Sequence, residues 1–589
     1  MLPSRQLAQP PSREAPRAAG IGARLVSNHA ALGLLGYTAL ACLVCAAAWR
    51  SPASVAVGNP LDLPEFLWFL GWYPFAIAHG QSLLLSDYIA YPGGVNLMWN
   101  TSIPLLAVLL SPVTVLASPV IALNLLTTLG PALSAWTAFL ALRRYVRHWG
   151  AALVGGAVFG FSPYVMSQSL GHPQLAFAAL VPLIFMTLDE ILIRQRRRAV
   201  VIGVALGALG AAQLLVGEEV LVICAVTAVL GIVFLVAMHR GQVAARLPYI
   251  GTAIAVATLT FGLLAAYPVS VQLFGPEQAH GPLQPASIYV TNVLALVIPS
   301  VRQLFAPGSA LELSRHFSGT MENGSYLGLP LIGLVYWMAR RQWSRGIVRW
   351  AVLLTTTIVV LSMGSELRVV GVPTGVPMPW HLVGGAPVLD HLLPVRLMGA
   401  AFLSAGLLVA LFVDQAMASG SGTQRRFALA VTGLAVLALM PRPLPVLPAT
   451  PPPFFTTGAI GQVRPGSVAL VAPFSQAHTG SVAMGWQAQA GFRFRMPDDY
   501  AYGPNWLSPP DSETQSAMAA IQLTGDRPLL GEPGRQRLLG ELRRWHVETV
   551  IVGPMDNQPL MVDFMTWLLG RPPAQDGGVF VWWDVDRVA

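Results

Sequence analysis

Carboxylates, histidines and one arginine set among tryptophans are the residues of this sequence that could do chemistry. The stretch Gly58–Ser102, GNPLDLPEFLWFLGWYPFAIAHGQSLLLSDYIAYPGGVNLMWNTS, holds Asp62, Glu65, His79, Asp87 and Asn96 among Trp68, Trp72 and Trp99. A carboxylate within hydrogen-bond reach of a hydroxyl can take its proton as general base. Asp62-Leu-Pro-Glu65 also has the spacing of a capping box, with Pro64 in the first turn of the helix that follows. In that helix Glu65, Trp72 and His79 recur at seven-residue steps and share one face. Further along, Arg396 follows Pro394 in HLLPVRLMGAAFL, where a loop enters an apolar run. A guanidinium there suits a lipid phosphate, or it snorkels to the interface. Glu322 in MENGSYLGLP, Glu218 with Glu219, and His172 in SLGHPQ stand at comparable boundaries and complete the candidate cavity residues. For the glutamates, a carboxylate favouring a helix N-terminus is the ordinary structural reading.

These residues must be positioned by a membrane domain. The chain has 589 residues, 54% of them hydrophobic and only 11% charged, where a soluble chain carries about a quarter charged. Apolar runs near bilayer-spanning length recur at 29–49, 120–142, 150–168, 173–192, 199–217, 220–238, 247–268, 325–340, 347–363, 397–416 and 427–441. The expected fold class is a polytopic α-helical membrane protein of about eleven spans with a small C-terminal α/β domain. Every basic side chain is Arg, and the arginines cluster in Arg143–Arg147, Arg194–Arg198, Arg240–Arg246, Arg340–Arg349 and Arg425–Arg426. The net charge of +8 therefore reflects loops between spans, and nucleic-acid binding is not expected. The run Ile103–Ala117 is broken by Pro104 and Pro112. Read as a surface or re-entrant helix, it leaves all the arginine-rich loops on one side, the cytoplasm.

The expected organisation is a cytoplasmic tail, 1–28, and a membrane domain, 29–441, with its first outer loop at 50–119. A proline-rich linker, 442–462, then leads to an extracytoplasmic α/β domain, 463–589. Within that domain 467–471, 549–552 and 579–583 read as strands, and 535–545 and 560–569 as helices. Cys42, Cys45 and Cys224 fall in apolar runs and imply no disulfide framework. No glycine-rich phosphate cradle, zinc spacing or nucleophile elbow stands out, so no nucleotide cofactor is expected. A divalent cation on the first-loop carboxylates is open, with two acidic residues to hold it.

The segments DLPEFLWFLGWYPFAIAHG, YPGGVNLMWNTSIP, GHPQLAFAALVPL, ENGSYLGLPL and LPVRLMGAAFL, with an acidic first outer loop, resemble the GT-C glycosyltransferases, in particular a bacterial group of that kind. The resemblance covers the membrane part well and the C-terminal part loosely. It implies transfer of a sugar from a polyprenyl-phosphate-linked donor to a glycan, lipid or protein acceptor outside the bacterial cytoplasmic (inner) membrane. It places Asp62 at the general base, with Glu65 as rival, and Arg396 at the donor phosphate. The contiguous acidic pair and the Lys-Pro-Pro stretch of some relatives are absent here. The competing readings are a transporter of a lipid-linked glycan or small solute and a non-catalytic membrane scaffold. Transport paths usually carry charges near the midplane, and these runs hold almost none.

Overall fold

A computed structural model describes residues 18–281, 283–284, 286–317, 319, 321–476, 479–504 and 512–587, with the backbone alone at 18–27 and 242–243. Residues 1–17 of the expected N-terminal tail lie outside them.

A helix occupies each of the eleven apolar runs. The membrane part begins with α1 (Ala18–Val44), strand β1 (Val55–Val57), α2 (Leu63–His79), α3 (Pro104–Leu116) and α4 (Pro119–Leu142). It continues through α5 (Trp149–Gly160), α6 (Pro163–Gln168), α7 (Leu180–Asp189), α8 (Ala199–Leu214), α9 (Glu218–Met238) and α10 (Arg240–Phe274). The last four helices are α11 (Gly328–Gln342), α12 (Gly346–Ser362), α13 (Met398–Ala418) and α14 (Gly422–Leu439). Six stretches among the described residues are long and apolar enough to cross a membrane: Pro119–Leu142, Trp149–Gln168, Pro173–Arg194, Glu218–Met238, Ala244–Phe274 and Pro394–Ala418. The chain is an integral membrane protein. Without a hydrophobic drive between helices in lipid, close backbone approach at small residues holds such bundles together. Gly203 and Gly207 of α8 do this against α10, where an added β-carbon would strike the carbonyls of Ala253 and Ala257.

Local signals set the helix ends. Ser118 accepts from the Ile121 N–H ahead of Pro119, and Ser162 from Val165 N–H ahead of Pro163. Helix α3 has 13 residues, roughly 20 Å at 1.5 Å per residue, short of the ~30 Å hydrocarbon core. Its Leu109, Val115 and Leu116 are exposed.

Beyond α14 come β2 (Val446–Pro448), β3 (Val468–Ala472), α15 (Val482–Gln489), α16 (Glu513–Thr524), α17 (Glu532–Arg544), β4 (Val547–Val552), α18 (Gln558–Leu569), β5 (Ala574–Asp576) and β6 (Val579–Trp582). Strands β3, β4, β6 and β5 form one sheet in that order; β3 and β4 are parallel and the other pairs antiparallel. The proline-rich stretch read as a linker is instead docked. Its β2 pairs antiparallel with β1, Val55 opposite Pro448 and Val57 opposite Val446, and Phe454 and Phe455 are fully buried. Leu444, Phe454 and Phe455 in that stretch are buried, apolar surface that a solvated spacer would leave in water.

The C-terminal region is built onto α2. Trp68 and Trp72 stack 5.2 Å apart, and Phe492 meets both edge-on at 5.5 and 5.6 Å. The Trp68 indole N–H donates to Oε1 of Gln487 at 2.6 Å, and the Gln487 amide donates to the carbonyls of Tyr88 and Phe494. This aromatic stack is why α2, apolar on nearly every side, is buried in protein.

Candidate functional site

Asp62 lies at the turn into α2, and the turn is capped by a neighbour. Oδ1 of Asn59 accepts from the N–H groups of Leu61 and Asp62, so the Asp62 carboxylate makes no capping hydrogen bond. This corrects the capping-box reading. The carboxylate is held by other partners: Oδ2 accepts from Nδ2 of Asn59 at 2.8 Å and Oδ1 from the Tyr500 hydroxyl at 3.1 Å. Tyr500 lies 438 positions along the chain, in the loop after α15. Gly171 packs against the carboxylate, because a β-carbon there would come within 2.7 Å of Asp62 Oδ2 and also strike Met321 and Asn59.

Glu65 follows one turn later and is also buried, at 6% exposure. Its carboxyl has no hydrogen-bond partner among the described residues; burial first, then the neighbouring Asp62, raise it well above the usual carboxylate range. Tyr502 from the same C-terminal loop is half-buried nearby and feels both carboxylates; desolvation pushes its hydroxyl up to about 12. Asn100 fixes its backbone, donating to Tyr502 O at 3.1 Å and accepting from Tyr502 N at 2.7 Å.

Arg396 stands on the far side of the turn 169–172. Its Nε and Nη2 donate to Glu322 Oε1 at 2.9 and 2.6 Å, and its Nη1 meets Glu219 Oε2. Glu322 Oε2 accepts from Gln168 Nε2 at 2.8 Å, and His172 Nδ1 donates to Gln168 Oε1 at 2.6 Å, lying 3.6 Å from Glu322. Burial and then Arg396 lower the His172 imidazole, against the pull of Glu322 and Asp62. Burial opposes charge on Glu322, yet Arg396 and His172 hold its carboxyl below the ordinary value. Packing thus runs from Asp62 through Asn59, Gly171 and Met321 to His172, Glu322 and Arg396.

Arg396 lines a cavity of ≈ 20 Å³ with Tyr164, Thr227 and Gly399, and neither carboxylate borders it. Three other expected residues stand elsewhere. His79 is exposed at the end of α2, stacked on Phe75 with centroids 4.2 Å apart, because the helix leaves the aromatic core before its last turn. Asp87 pairs with Arg495 at 3.4 Å. Glu218 accepts from Gln272 at 2.7 Å. Its neighbour Glu219 reaches Arg396, since adjacent helical positions do not share a face.

The loop Asp498-Asp499-Tyr500-Ala501-Tyr502 was not singled out by sequence reasoning; its signal was two acids and two tyrosines between Pro497 and Gly503. Asp498 is 1% exposed, with Oδ2 accepting from Ser475 N at 2.9 Å and Oδ1 unpartnered among the described residues. Burial raises its carboxyl to about 7, above an unfolded value near ~3.9. The folded state therefore binds this proton more tightly, so stability is greatest below the unfolded value and falls as pH rises towards about 7. Asp498→Asn, which imitates the protonated acid, is expected to remove that fall. Melting curves from pH 4 to 8 for both proteins check it; an unchanged pH slope would contradict it.

Among the described residues no group of three or more His, Cys, Asp or Glu is placed for a metal ion.

Residues 34–383 match a family described as "Domain of unknown function (DUF6311)". The chain belongs to the DUF6311 family. The matched region contains Asp62, Glu65, His172, Glu219 and Glu322, and it stops short of Arg396 and Tyr500. No curated protein sequence matches the chain. Among solved structures, the arabinofuranosyltransferase AftD from Mycobacteria superposes with a TM-score of 0.53 at 17% identity, over 95% of this chain and 40% of AftD. The oligosaccharyltransferase of Archaeoglobus fulgidus gives 0.47 at 10% identity, over 89% of this chain and 69% of that one. ArnT from Cupriavidus metallidurans gives 0.42 at 11%, over 97% and 99%. This DUF6311 chain has a GT-C-like fold, and it spans about two fifths of the length of AftD.

Proposed function

We propose that the protein is a membrane glycosyltransferase, moving a sugar from a polyprenyl-phosphate-linked donor to a glycan, lipid or protein acceptor outside the bacterial inner membrane. The observation that carries this reading is the buried pair Asp62 and Glu65, one carboxylate gripped by Tyr500 and Asn59 and the other with no hydrogen-bond partner among the described residues. The fold shared with an arabinofuranosyltransferase supports it.

Two neighbouring carboxyls do not both ionise easily, and Glu65, raised by burial, keeps its proton. Asp62 then takes the proton of the acceptor hydroxyl as that oxygen attacks the anomeric carbon. Protonated Glu65 donates a hydrogen bond to an acceptor oxygen and orients it. Tyr500 fixes the direction of the Asp62 carboxylate, so the C-terminal region completes the site.

The donor phosphate is assigned to Arg396 by exchange. A guanidinium shared by two carboxylates carries net negative surroundings, so an entering phosphate takes the place of one of them. Glu219, with its side chain 22% exposed against 4% for Glu322, is the one that leaves. A phosphate between Nη1 of Arg396 and the anomeric carbon stabilises the departing charge. Glu219→Gln, which weakens the competitor, is expected to lower the donor KM.

The experiment is turnover by the purified, reconstituted protein across a panel of polyprenyl-phosphate sugars. Tyr500→Phe removes one hydrogen bond, worth about 1 kcal/mol, and is expected to lower kcat about fivefold while the protein stays folded. An absence of transfer with every donor, or a Tyr500→Phe protein as fast as the parent, would contradict the reading.

A further inference from the structure

Towards the arginine-bearing end of the helices the structure holds a second and much larger space, which shares Phe185, Thr227 and Ala400 with the small cavity that Arg396 lines. It encloses about 450 Å³ between the ends of α4, α7, α9, α10, α12 and α13, within the range of about 300–1,000 Å³ typical of small-molecule sites. Its wall is apolar, with Phe185, Met186, Leu235, Trp350, Leu403 and Leu407 prominent. It reaches the lipid-facing surface, because Ile193 and Val236 line it and are 44% and 38% exposed. Trp350 is held in place as its indole N–H donates to the Gly231 carbonyl at 2.9 Å.

The charges at the mouth are not balanced. Asp189 is paired by Arg144 at 3.3 Å and Arg194 at 2.6 Å, and Glu190 by Arg144 at 2.6 Å and by the N–H groups of Arg196 and Arg197. Arg246, also in the lining, donates only to the carbonyls of Leu192 and Ile193, at 2.9 and 2.5 Å, and no carboxylate among the described residues pairs with it. Arg349 sits at the same rim, its Nε 3.1 Å from the sulfur of Met238. His239 borders the cavity beside Met238. The rim is therefore cationic around an apolar interior.

We infer that this cavity is a binding site for one anionic phospholipid, an acyl chain filling the interior and the head-group phosphate meeting Arg246. Lipid is the solvent at this depth, so an apolar space open to it fills with a chain. The unpaired guanidinium then selects chains whose head carries a negative charge. Its occupant braces α9, most of which is not buried against protein.

Native mass spectrometry of the detergent-purified full chain tests this with three probes: phosphatidylglycerol, phosphatidylcholine and a polyprenyl phosphate. One phosphatidylglycerol per chain is expected to be retained about tenfold better than phosphatidylcholine, the margin one charge-assisted hydrogen bond supplies. Arg246→Gln is expected to erase that preference while melting normally in zwitterionic detergent. Ala228→Phe, which fills the interior, is expected to lose both phospholipids. Equal retention of the two phospholipids, a preference that survives Arg246→Gln, or displacement of phosphatidylglycerol by stoichiometric polyprenyl phosphate would each overturn the assignment.

Discussion

Asp62→Asn is expected to cut sugar transfer by about 10²–10⁴-fold, the usual contribution of a general base, while the protein stays folded and inserted. Asparagine keeps the size of the side chain and, with its oxygen accepting from Asn59 and its amide N–H donating to the Tyr500 hydroxyl, keeps a partner on each side, so the loss reports on proton acceptance. Glu65→Gln is the matched control. Burial raises the Glu65 carboxyl well above the usual carboxylate range, and glutamine can donate a hydrogen bond in place of a protonated acid, so a loss of under about tenfold is expected. Donor-dependent release of polyprenyl phosphate measures both. A reversed order, with Glu65→Gln crippled and Asp62→Asn active, would move the base to Glu65.

Arg396→Leu is expected to destabilise the protein by about 3–5 kcal/mol, because it strips a buried carboxylate of its counter-charge. Glu322 is 4% exposed and would keep only Gln168 and His172 as partners. The same arginine ties three segments together: the loop ahead of α11, the first turn of α9 and the entry to α13. Adding Glu322→Gln to Arg396→Leu is expected to recover much of the loss, since the buried charge goes with it. Melting in detergent of the single and double variants checks this, and an unaltered melting temperature in Arg396→Leu would refute it.

The helices were legible because each is written locally. A run of apolar residues near bilayer length has few alternatives, and prolines 119 and 163 behind serines mark where two of them start. Strands β3, β4 and β6 were legible for a similar reason, as short β-branched runs between turns. The site was legible only where chemistry and sequence neighbourhood coincide, as at Asp62 and Glu65. Tyr500 acts from 438 residues away, and no local pattern says which carboxylate a distant hydroxyl will find. The choice between Glu218 and Glu219 depended on about 100° of helix rotation, which a run of apolar neighbours on every side does not reveal. The docked stretch around β2 was hidden because proline-rich composition describes a stiff extended chain equally well in water or pinned to a surface.

The most direct test is a structure of the protein in a lipid nanodisc with a polyprenyl monophosphate, the part every such donor shares. The phosphate is expected within hydrogen-bond distance of Arg396, with Glu219 turned away and open space leading towards Asp62. A phosphate seated instead at Arg246, or Arg396 still closed by both glutamates with ligand saturating, would contradict the assignment of sugar transfer to this site.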